Sequence, residues 1–236
     1  EGDYDSALGL NYMANLFPHI LGRVCTHPCE SACRRGKIDE PVSICSLKRV
    51  AADFAKKEYP KRGLSKKKTG KKKKVAIIGA GPSGLAAGND LAVMGHDITI
   101  FEALPMAGGM LSVGIPPYRL PWNKIDGAVD WVEKLGINLK LKSPINSLDK
   151  FDKLVKKYDA VYIAAGAHKS MALEIPGEDL KGVVHGITYM KDINLGKQKK
   201  VPSRVAVVGG GFTAIDCARS SLRLGAKEVF IIYRRT

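Results

Sequence analysis

The chain has 236 residues, enough for one large domain or two smaller ones, and 45% of them are hydrophobic. Its formal net charge is +15, but residues 56–74 alone hold eleven Lys or Arg residues and one acid, which favours a solvated linker over a nucleic-acid surface. No apolar run reaches the roughly 18 residues of a membrane helix, and no signal-peptide pattern is present, so we expect a cytoplasmic protein without a membrane span.

The first part of the chain is predicted to be helical. Apolar residues recur at a helical period over Asp5–Phe17, and Pro18 is expected to end that helix. A second helix is predicted over Ser46–Phe54.

From Val75 onward the pattern changes to alternating strands and helices. Val75–Ile78 is predicted to be a buried strand, and a glycine-rich turn follows at Gly79–Gly84. A helix of small residues is expected over Leu85–Met94, with Gly95 as its C-terminal cap. Asp97–Phe101 is the next predicted strand.

The same unit returns 130 residues later. Val205–Val208 is predicted to be a strand and Gly209–Ala214 its turn. A helix over Ile215–Leu224, capped by Gly225, leads to the strand Val229–Tyr233. Two such units in one chain imply two nucleotide sites.

The fold class is therefore α/β, with an N-terminal helical domain followed by two Rossmann-like dinucleotide-binding units, the second truncated. A further buried strand is predicted between the units, at Tyr158–Ala165. We expect a helical domain at 1–58, a basic linker at 59–74, a first dinucleotide-binding domain at 75–190 and part of a second at 191–236.

Each glycine turn lies between a buried strand and a helix, which is the context that a dinucleotide fingerprint requires. In the first, Gly79 permits a tight turn, Gly81 lets the backbone approach a pyrophosphate, and Gly84 allows close packing of helix on strand. The helix N-terminus supplies free N–H groups to the phosphates. Glu102 ends the second strand, where a carboxylate accepts hydrogen bonds from a ribose 2′-hydroxyl.

The second unit differs at the position that reads the ribose. Tyr233 replaces the carboxylate, and Arg234 and Arg235 follow it. Two guanidinium groups are suited to a 2′-phosphate, so NADP is favoured over NAD.

Four cysteines, Cys25, Cys29, Cys33 and Cys45, fall within 21 residues. Pro28 is expected to open a helix that places Cys29 and Cys33 on one face. The spacing alone leaves zinc and an iron–sulfur cluster open. The neighbouring dinucleotide units favour the cluster, because a redox centre has a use beside them. The fifth cysteine, Cys217, is predicted to be a core thiol.

Several motifs together resemble the small (beta) subunit of NADPH-dependent glutamate synthase and its related electron-transfer flavoproteins. These motifs are GRVCTHPCESACRRG, PVSICSLKR, VAIIGAGPSGLAAG, GGMLSVGIPPYRLP, IPGED and VAVVGGGFTAIDCARSSLRLGAKEVFIIYRR.

The resemblance implies that the N-terminal helical domain at 1–58 is an iron–sulfur domain, that 75–190 is an FAD-binding domain and that 191–236 is part of an NAD(P)-binding domain. It also implies a set of residues for each cofactor. The residues for FAD are Gly79, Gly81, Pro82, Ser83, Gly84 and Glu102, with Gly109, Met110, Arg119 and Gly166 in the same domain. Those for NADPH are Gly209, Gly211, Phe212, Thr213, Ala214, Arg234 and Arg235. For [4Fe–4S] clusters the resemblance implies Cys25, Cys29 and Cys33 as part of two ligand sets, and Cys45 is expected to join them as a fourth ligand.

The chain departs from this family at three points. Residues 1–24 lack the upstream cysteines that family members share between two clusters. Lys48 stands near a position where the family often has a Glu or Gln ligand, and Cys45, one turn earlier, is expected to replace it. Phe212 stands where many members have Asn.

The predicted function is a flavoprotein electron-transfer subunit that oxidises NADPH through FAD and passes electrons to [4Fe–4S] clusters and a larger redox partner subunit. Because the cofactors carry the chemistry, no side chain is nominated as a catalytic acid or base. The alternatives are a pyridine nucleotide–disulfide reductase-like enzyme and a non-catalytic nucleotide-binding module whose docking domain is held by zinc. The first is disfavoured because neither dinucleotide unit has a CxxC pair.

Overall fold

The computed structural model describes residues 2–56 and 70–234. These residues form two parallel β-sheets, one of four strands and one of two, together with the helices around them. Residues 57–69 lie outside the described residues, and they include most of the basic linker predicted at 59–74. Lys74, predicted as the end of that linker, belongs to the first strand. No helix in the described ranges is long and apolar enough to cross a membrane.

The described N-terminal residues are helical, as predicted, but the helix boundaries differ. The first helix ends at Tyr12, and Pro18 begins the next helix instead of ending the first. The missing N–H of proline costs nothing at a first helical position, where that group has no helical acceptor. The elements are α1 (Tyr4–Tyr12), α2 (Pro18–Val24), α3 (Pro28–Ser31), a 3₁₀ helix (Arg34–Lys37) and α4 (Ile44–Phe54).

The prediction that Cys29 and Cys33 share one helix face is wrong. Helix α3 starts at Pro28 as expected, but it is a single turn that ends at Ser31. Cys33 follows in extended backbone, with ψ 125°, so its side chain leaves in a different direction.

The first α/β unit has a four-stranded parallel sheet in the order β3-β2-β1-β4. Its predicted strands and helix are confirmed, although the helix starts at Pro82, three residues earlier than expected. The elements are β1 (Lys74–Ile78), α5 (Pro82–Val93), β2 (Asp97–Phe101), α6 (Met110–Val113), α7 (Trp122–Lys134), β3 (Asn138–Lys140), α8 (Leu148–Lys157) and β4 (Ala160–Ile163).

The hydrophobic core lies between this sheet and helices α5 and α7. Ile77 and Ile100 of the central strands, Leu85 of α5 and Val132 of α7 are fully or almost fully buried. Phe17 and Ile20 belong to the same core, so the N-terminal helices pack directly on the first unit.

The strand predicted as buried at Tyr158–Ala165 is shorter and more exposed than expected. It covers Ala160–Ile163, and Ile163 is 63% exposed. The physical reason is its position at the edge of the described sheet, where it has one neighbour, β1.

The second unit consists of β5 (Arg204–Val208), α10 (Phe212–Arg223) and β6 (Glu228–Ile232), preceded by α9 (Gly186–Asn194). Strands β5 and β6 pair in parallel, which confirms the predicted repeat. Helix α10 again begins three residues earlier than predicted.

Both predicted helix caps are confirmed. Gly95 and Gly225 each adopt φ +96° directly after their helices. At the end of α5, Gly95 donates its N–H to the Ala92 carbonyl and His96 donates to the Leu91 carbonyl. The N–H groups of Gly225 and Ala226 make the corresponding hydrogen bonds at the end of α10. This is the Schellman pattern, which needs a left-handed residue that glycine adopts at little cost.

Candidate functional site

The first glycine turn is closed by backbone contacts. Gly79 has φ +109° and donates its N–H to the Phe101 carbonyl at 2.8 Å. A Cβ at Gly79 would lie 2.3 Å from the Ala164 carbonyl oxygen, and one at Gly84 would lie 1.9 Å from the Gly79 oxygen. Both positions therefore require glycine for space as well as for conformation.

The N-terminus of α5 is open toward an anion. Gly81 is its N-cap and offers no side-chain acceptor, so the first N–H groups of the helix, beyond Pro82, remain available. The Gly108–Met110 segment approaches from the other side: Gly108 donates its N–H to the Ala80 carbonyl at 2.7 Å, and a Cβ at Gly109 would lie 2.8 Å from the Gly81 Cα. The structure thus brings Gly109 to the predicted FAD turn.

Glu102 is buried beneath this turn. One carboxylate oxygen, Oε2, accepts the Ala80 N–H at 2.7 Å, and Oε1 accepts the Leu104 N–H at 2.8 Å. The side chain therefore ties the glycine turn to the end of β2. Its predicted contact with a ribose hydroxyl remains a prediction.

Two further residues predicted to contact FAD, Ser83 and Gly166, lie near strand β4. The Ser83 hydroxyl lies 2.7 Å from the Tyr162 hydroxyl on β4. Gly166 adopts φ +70° just beyond that strand. Tyr162 carries no sequence signal for this contact, because its partner is 79 residues away in the chain.

The second glycine turn has the same backbone form but more open surroundings. Gly209 has φ +123° and donates its N–H to the Ile232 carbonyl at 2.9 Å. Gly211 is the N-cap of α10, and a Cβ there would meet nothing within 4 Å. Thr213 and the buried Ala214 lie in the first turn of the helix.

The residues predicted to read a 2′-phosphate lie after β6. Arg234 is exposed at the end of that strand. Arg235 lies outside the described residues, so the predicted pair remains a prediction. Tyr233 packs against the turn, since a Cβ at Gly210 would lie 2.8 Å from its ring.

Arg119, predicted as a cofactor contact, has protein partners in the second unit. Its Nη1 donates to Asp216 Oδ2 on α10 at 2.5 Å, and its guanidinium lies 5.3 Å from the centre of the Phe212 ring. The sequence analysis missed Asp216. One signal could have found it: it is the one acid of α10 and stands between Ile215 and Cys217.

All four clustered cysteines are free thiols, and the described residues contain no group of three or more His, Cys, Asp or Glu side chains placed to hold a metal ion. Burial raises the pKa of Cys45, Lys48 opposes that shift, and Cys25, Glu30 and Cys29 add to it. The backbone N–H of Cys45 donates to Glu30 Oε1 at 2.8 Å, so the start of α4 contacts helix α3.

Cys33 lies in a different environment. The backbone N–H groups of Val42 and Arg35 lower the pKa of its thiol. As a donor set, four free thiols fit an iron–sulfur cluster, whereas the described positions do not converge on one point.

Cys217 confirms the prediction of a core thiol. It is 5% exposed, and its Sγ lies 3.7 Å from the Gly186 carbonyl. Burial raises the pKa of the thiol to about 11.

Comparison with known families matches both parts of the chain. Residues 73–236 match the model for "pyridine nucleotide-disulphide oxidoreductase". Residues 1–59 match the dihydropyrimidine dehydrogenase domain II model, described as a 4Fe-4S cluster domain. The chain belongs to the FAD and iron–sulfur oxidoreductase family of these domains. Membership confirms the predicted fold class and the cofactor set of this NADPH-dependent oxidoreductase type: FAD, NADPH and a [4Fe–4S] cluster.

Two curated members of this oxidoreductase family cover essentially the whole chain. The NADP(+)-dependent formate dehydrogenase subunit beta of Moorella thermoacetica is 43% identical over 100% of the chain and 37% of its own length. The glutamate synthase [NADPH] small chain of Bacillus subtilis is 35% identical over 97% of the chain and 48% of its own length. The chain thus spans less than half the length of these relatives.

A solved 2-naphthoyl-CoA reductase complex shares the fold, with a TM-score of 0.60 and 31% identity. The match covers 74% of this chain and 26% of that one.

Proposed function

We propose that this chain belongs to a cytoplasmic electron-transfer subunit that oxidises NADPH and passes the electrons to a larger partner subunit. One observation carries the proposal: two open helix N-termini, each behind a glycine turn, occur in one chain with a cluster of free thiols. The free thiols are consistent with a reducing compartment.

The two glycine turns fit the dinucleotide cofactors of the family, and the four free thiols are the ligand type that a cluster uses. When bound, FAD supplies hydride acceptance from NADPH and one-electron transfer to an iron–sulfur cluster. In this proposal Gly81 and the N-terminus of α5 bind the FAD pyrophosphate, and Glu102 positions the first glycine turn. The N-terminus of α10 and Gly211 bind the NADPH pyrophosphate, and Arg234 with Arg235 binds the 2′-phosphate.

The four cysteines are proposed as cluster ligands, with Cys45 replacing the carboxylate or amide of other family members. Anaerobically purified full-length protein should contain iron and acid-labile sulfide, and Cys45→Ala should lower both. Zinc without sulfide would support the docking-module alternative, and an unchanged iron count in the variant would show that Cys45 is structural.

The motifs indicate the glutamate synthase small-subunit family without naming the electron acceptor. One proposed acceptor is a glutamate synthase partner, which the 35% identical small chain supports. The 43% identical formate dehydrogenase subunit supports a second candidate, a formate dehydrogenase partner. Copurification with the native partner, followed by assay with glutamine and 2-oxoglutarate or with formate, separates the two.

The nucleotide test uses reduction of an artificial acceptor by full-length protein with NADPH and with NADH. Arg234→Ala/Arg235→Ala should weaken NADPH use by about tenfold, because charge-assisted contacts to the 2′-phosphate are lost at a solvent-screened site. NADH use should barely change. Preference of the wild type for NADH, or equal loss of both nucleotides, would contradict the assignment.

A further inference from the structure

Arg119 and Asp216 join the two dinucleotide units through an ion pair in which the carboxylate is buried and the guanidinium is partly exposed. Arg119 lies in the loop between α6 and α7 of the first unit, and Asp216 lies on α10 of the second, 97 residues later. Their side chains are 22% and 5% exposed. Asp216 Oδ1 has no hydrogen-bond partner among the described residues. The ion pair with Arg119 is therefore the main interaction that compensates the negative charge of this buried carboxylate.

The charges around Asp216 make this contact costly to lose. Burial raises the pKa of Asp216, and Arg119, with a smaller effect from Arg219, opposes that shift. Removing one partner of a buried ion pair leaves the other charge uncompensated. The docked arrangement of the two units is therefore favoured over one in which Arg119 leaves Asp216.

Arg119 also contacts the residue that begins α10. Its guanidinium lies over the Phe212 ring, and Phe212 and Asp216 are four residues apart, on the same face of the helix. Arg119 therefore holds the turn of α10 that directly follows the second glycine turn.

The neighbouring Tyr118 engages the next part of the same helix. Arg223 and Arg219 lie 3.9 Å and 4.9 Å from the centre of its ring, and its hydroxyl is 3.4 Å from the Ser220 hydroxyl. Two adjacent loop residues thus contact successive turns of α10, which restrains both sliding and rotation of the helix.

We propose that Arg119 and Asp216 are a positioning pair that holds α10, and with it the NADPH turn, in register with the FAD-binding unit. The inference rests on the proposed function, because alignment matters only if hydride passes between the two sites. Productive transfer requires the reacting atoms to be about 3–3.5 Å apart, and a displacement of about 1 Å can slow a reaction about a hundredfold.

The test uses the full-length protein loaded with FAD, in which flavin reduction by NADPH is followed by stopped flow. Arg119→Ala should slow reduction at saturating NADPH by about tenfold to a hundredfold, with NADPH affinity nearly unchanged. Arg119→Lys should recover part of the rate. Asp216→Asn should also slow reduction, and the double variant should be no slower than Arg119→Ala, because both changes remove one contact.

Arg204→Ala is the matched control. Arg204 also combines a carboxylate with an aromatic ring, Glu228 at 2.8 Å and Phe230 at 5.6 Å, but both partners lie within the second unit. This variant should reduce its flavin at the wild-type rate.

Hydrogen exchange gives a readout that does not depend on turnover. Without NADPH, Arg119→Ala should speed amide exchange in α10 and leave α5 unchanged. Equal acceleration in both helices, a reduction rate within twofold of the wild type, or a wild-type rate in Asp216→Asn would overturn the positioning role. If the wild type fails to bind FAD or to accept hydride from NADPH, the proposed function fails, and the exchange comparison still decides whether the pair orients α10.

Discussion

The two glycine turns have nearly the same backbone but different surroundings. Gly81 and Gly211, their N-cap residues, have φ of −78° and −81° and ψ of −177° and 175°. Gly79 and Gly209 both have positive φ, and each donates its N–H to the last residue of the following strand. The local form therefore repeats almost without change.

The packing around the turns does not repeat. The first turn is enclosed by Ala164, by the Gly108–Gly109 segment and by the buried carboxylate of Glu102. The second has Tyr233 in place of that carboxylate, and a Cβ at Gly209 would meet only the Ala214 Cβ, at 3.5 Å. A short strand–turn–helix sequence is thus sufficient for the turn, whereas its tolerance to substitution depends on what packs against it.

The largest difference is expected between Gly79→Ala and Gly209→Ala. Both variants place a side chain at positive φ, but only the first also places it against a backbone oxygen. Gly79→Ala should lower the free energy of unfolding by about 2–5 kcal/mol and Gly209→Ala by about 1–2 kcal/mol. Urea unfolding of the full-length protein measures both changes. Equal losses of unfolding free energy would mean that packing around the first turn adds nothing to the cost of the substitution.

The third glycine of the first turn offers a second comparison, because the second turn has Ala214 at the same place. Gly84→Ala should cost about 3 kcal/mol, since its Cβ would lie 1.9 Å from the Gly79 oxygen. Ala214→Gly should cost at most about 1 kcal/mol, the difference in helix propensity. Thermal unfolding of the two variants tests this, and a stable Gly84→Ala protein would contradict it.

Glu102→Gln tests the carboxylate that the second unit lacks. Each Glu102 oxygen now accepts a hydrogen bond from a backbone N–H. In the variant the NH₂ group of Gln would face one of these N–H groups and could not accept, so one of the two hydrogen bonds is lost. The expected loss in unfolding free energy is roughly 1.5–3 kcal/mol. The exposed Glu133→Gln of the same unit is the control, and similar values for both would show that Glu102 does not support the turn.

The smallest effects on stability are expected from Gly81→Ala and Gly211→Ala. Both glycines have φ that alanine adopts freely, and the added Cβ has ordinary contact or open space. The unfolding free energy of the cofactor-free protein should stay the same or rise by about 0.4–1 kcal/mol.

Cofactor binding separates these two variants. In the proposed function each Cβ would occupy the approach of one pyrophosphate. Gly81→Ala should therefore weaken FAD retention alone, and Gly211→Ala should weaken NADPH binding alone. Flavin content and nucleotide titration measure the two effects. A stable variant that binds its cofactor normally would contradict the proposal that this cofactor binds at this turn.

The sequence by itself determined the repeated strand–turn–helix–strand units and their helix caps. These features depend on neighbouring residues: a short apolar run, glycines at fixed spacing and a glycine after the helix. The ends of the predicted elements in these repeats were correct to within about three residues. Helices α5 and α10 begin three residues earlier than predicted, and strands β1, β5 and β6 begin one residue earlier. Helices α6–α9 and strand β3 were not predicted. The motif resemblance supplied the cofactor set for the same reason, because its signals are local.

Only the tertiary structure decided which distant groups meet. It paired Arg119 with Asp216, placed Tyr162 against Ser83 and directed both oxygens of Glu102 to backbone N–H groups. It also separated Cys33 from the turn that carries Cys29. A one-dimensional pattern records period and spacing, but the partner of a buried charge depends on how separate units pack. That packing brings Arg119 to Asp216, 97 positions away, and Tyr118 to Ser220, 102 positions away.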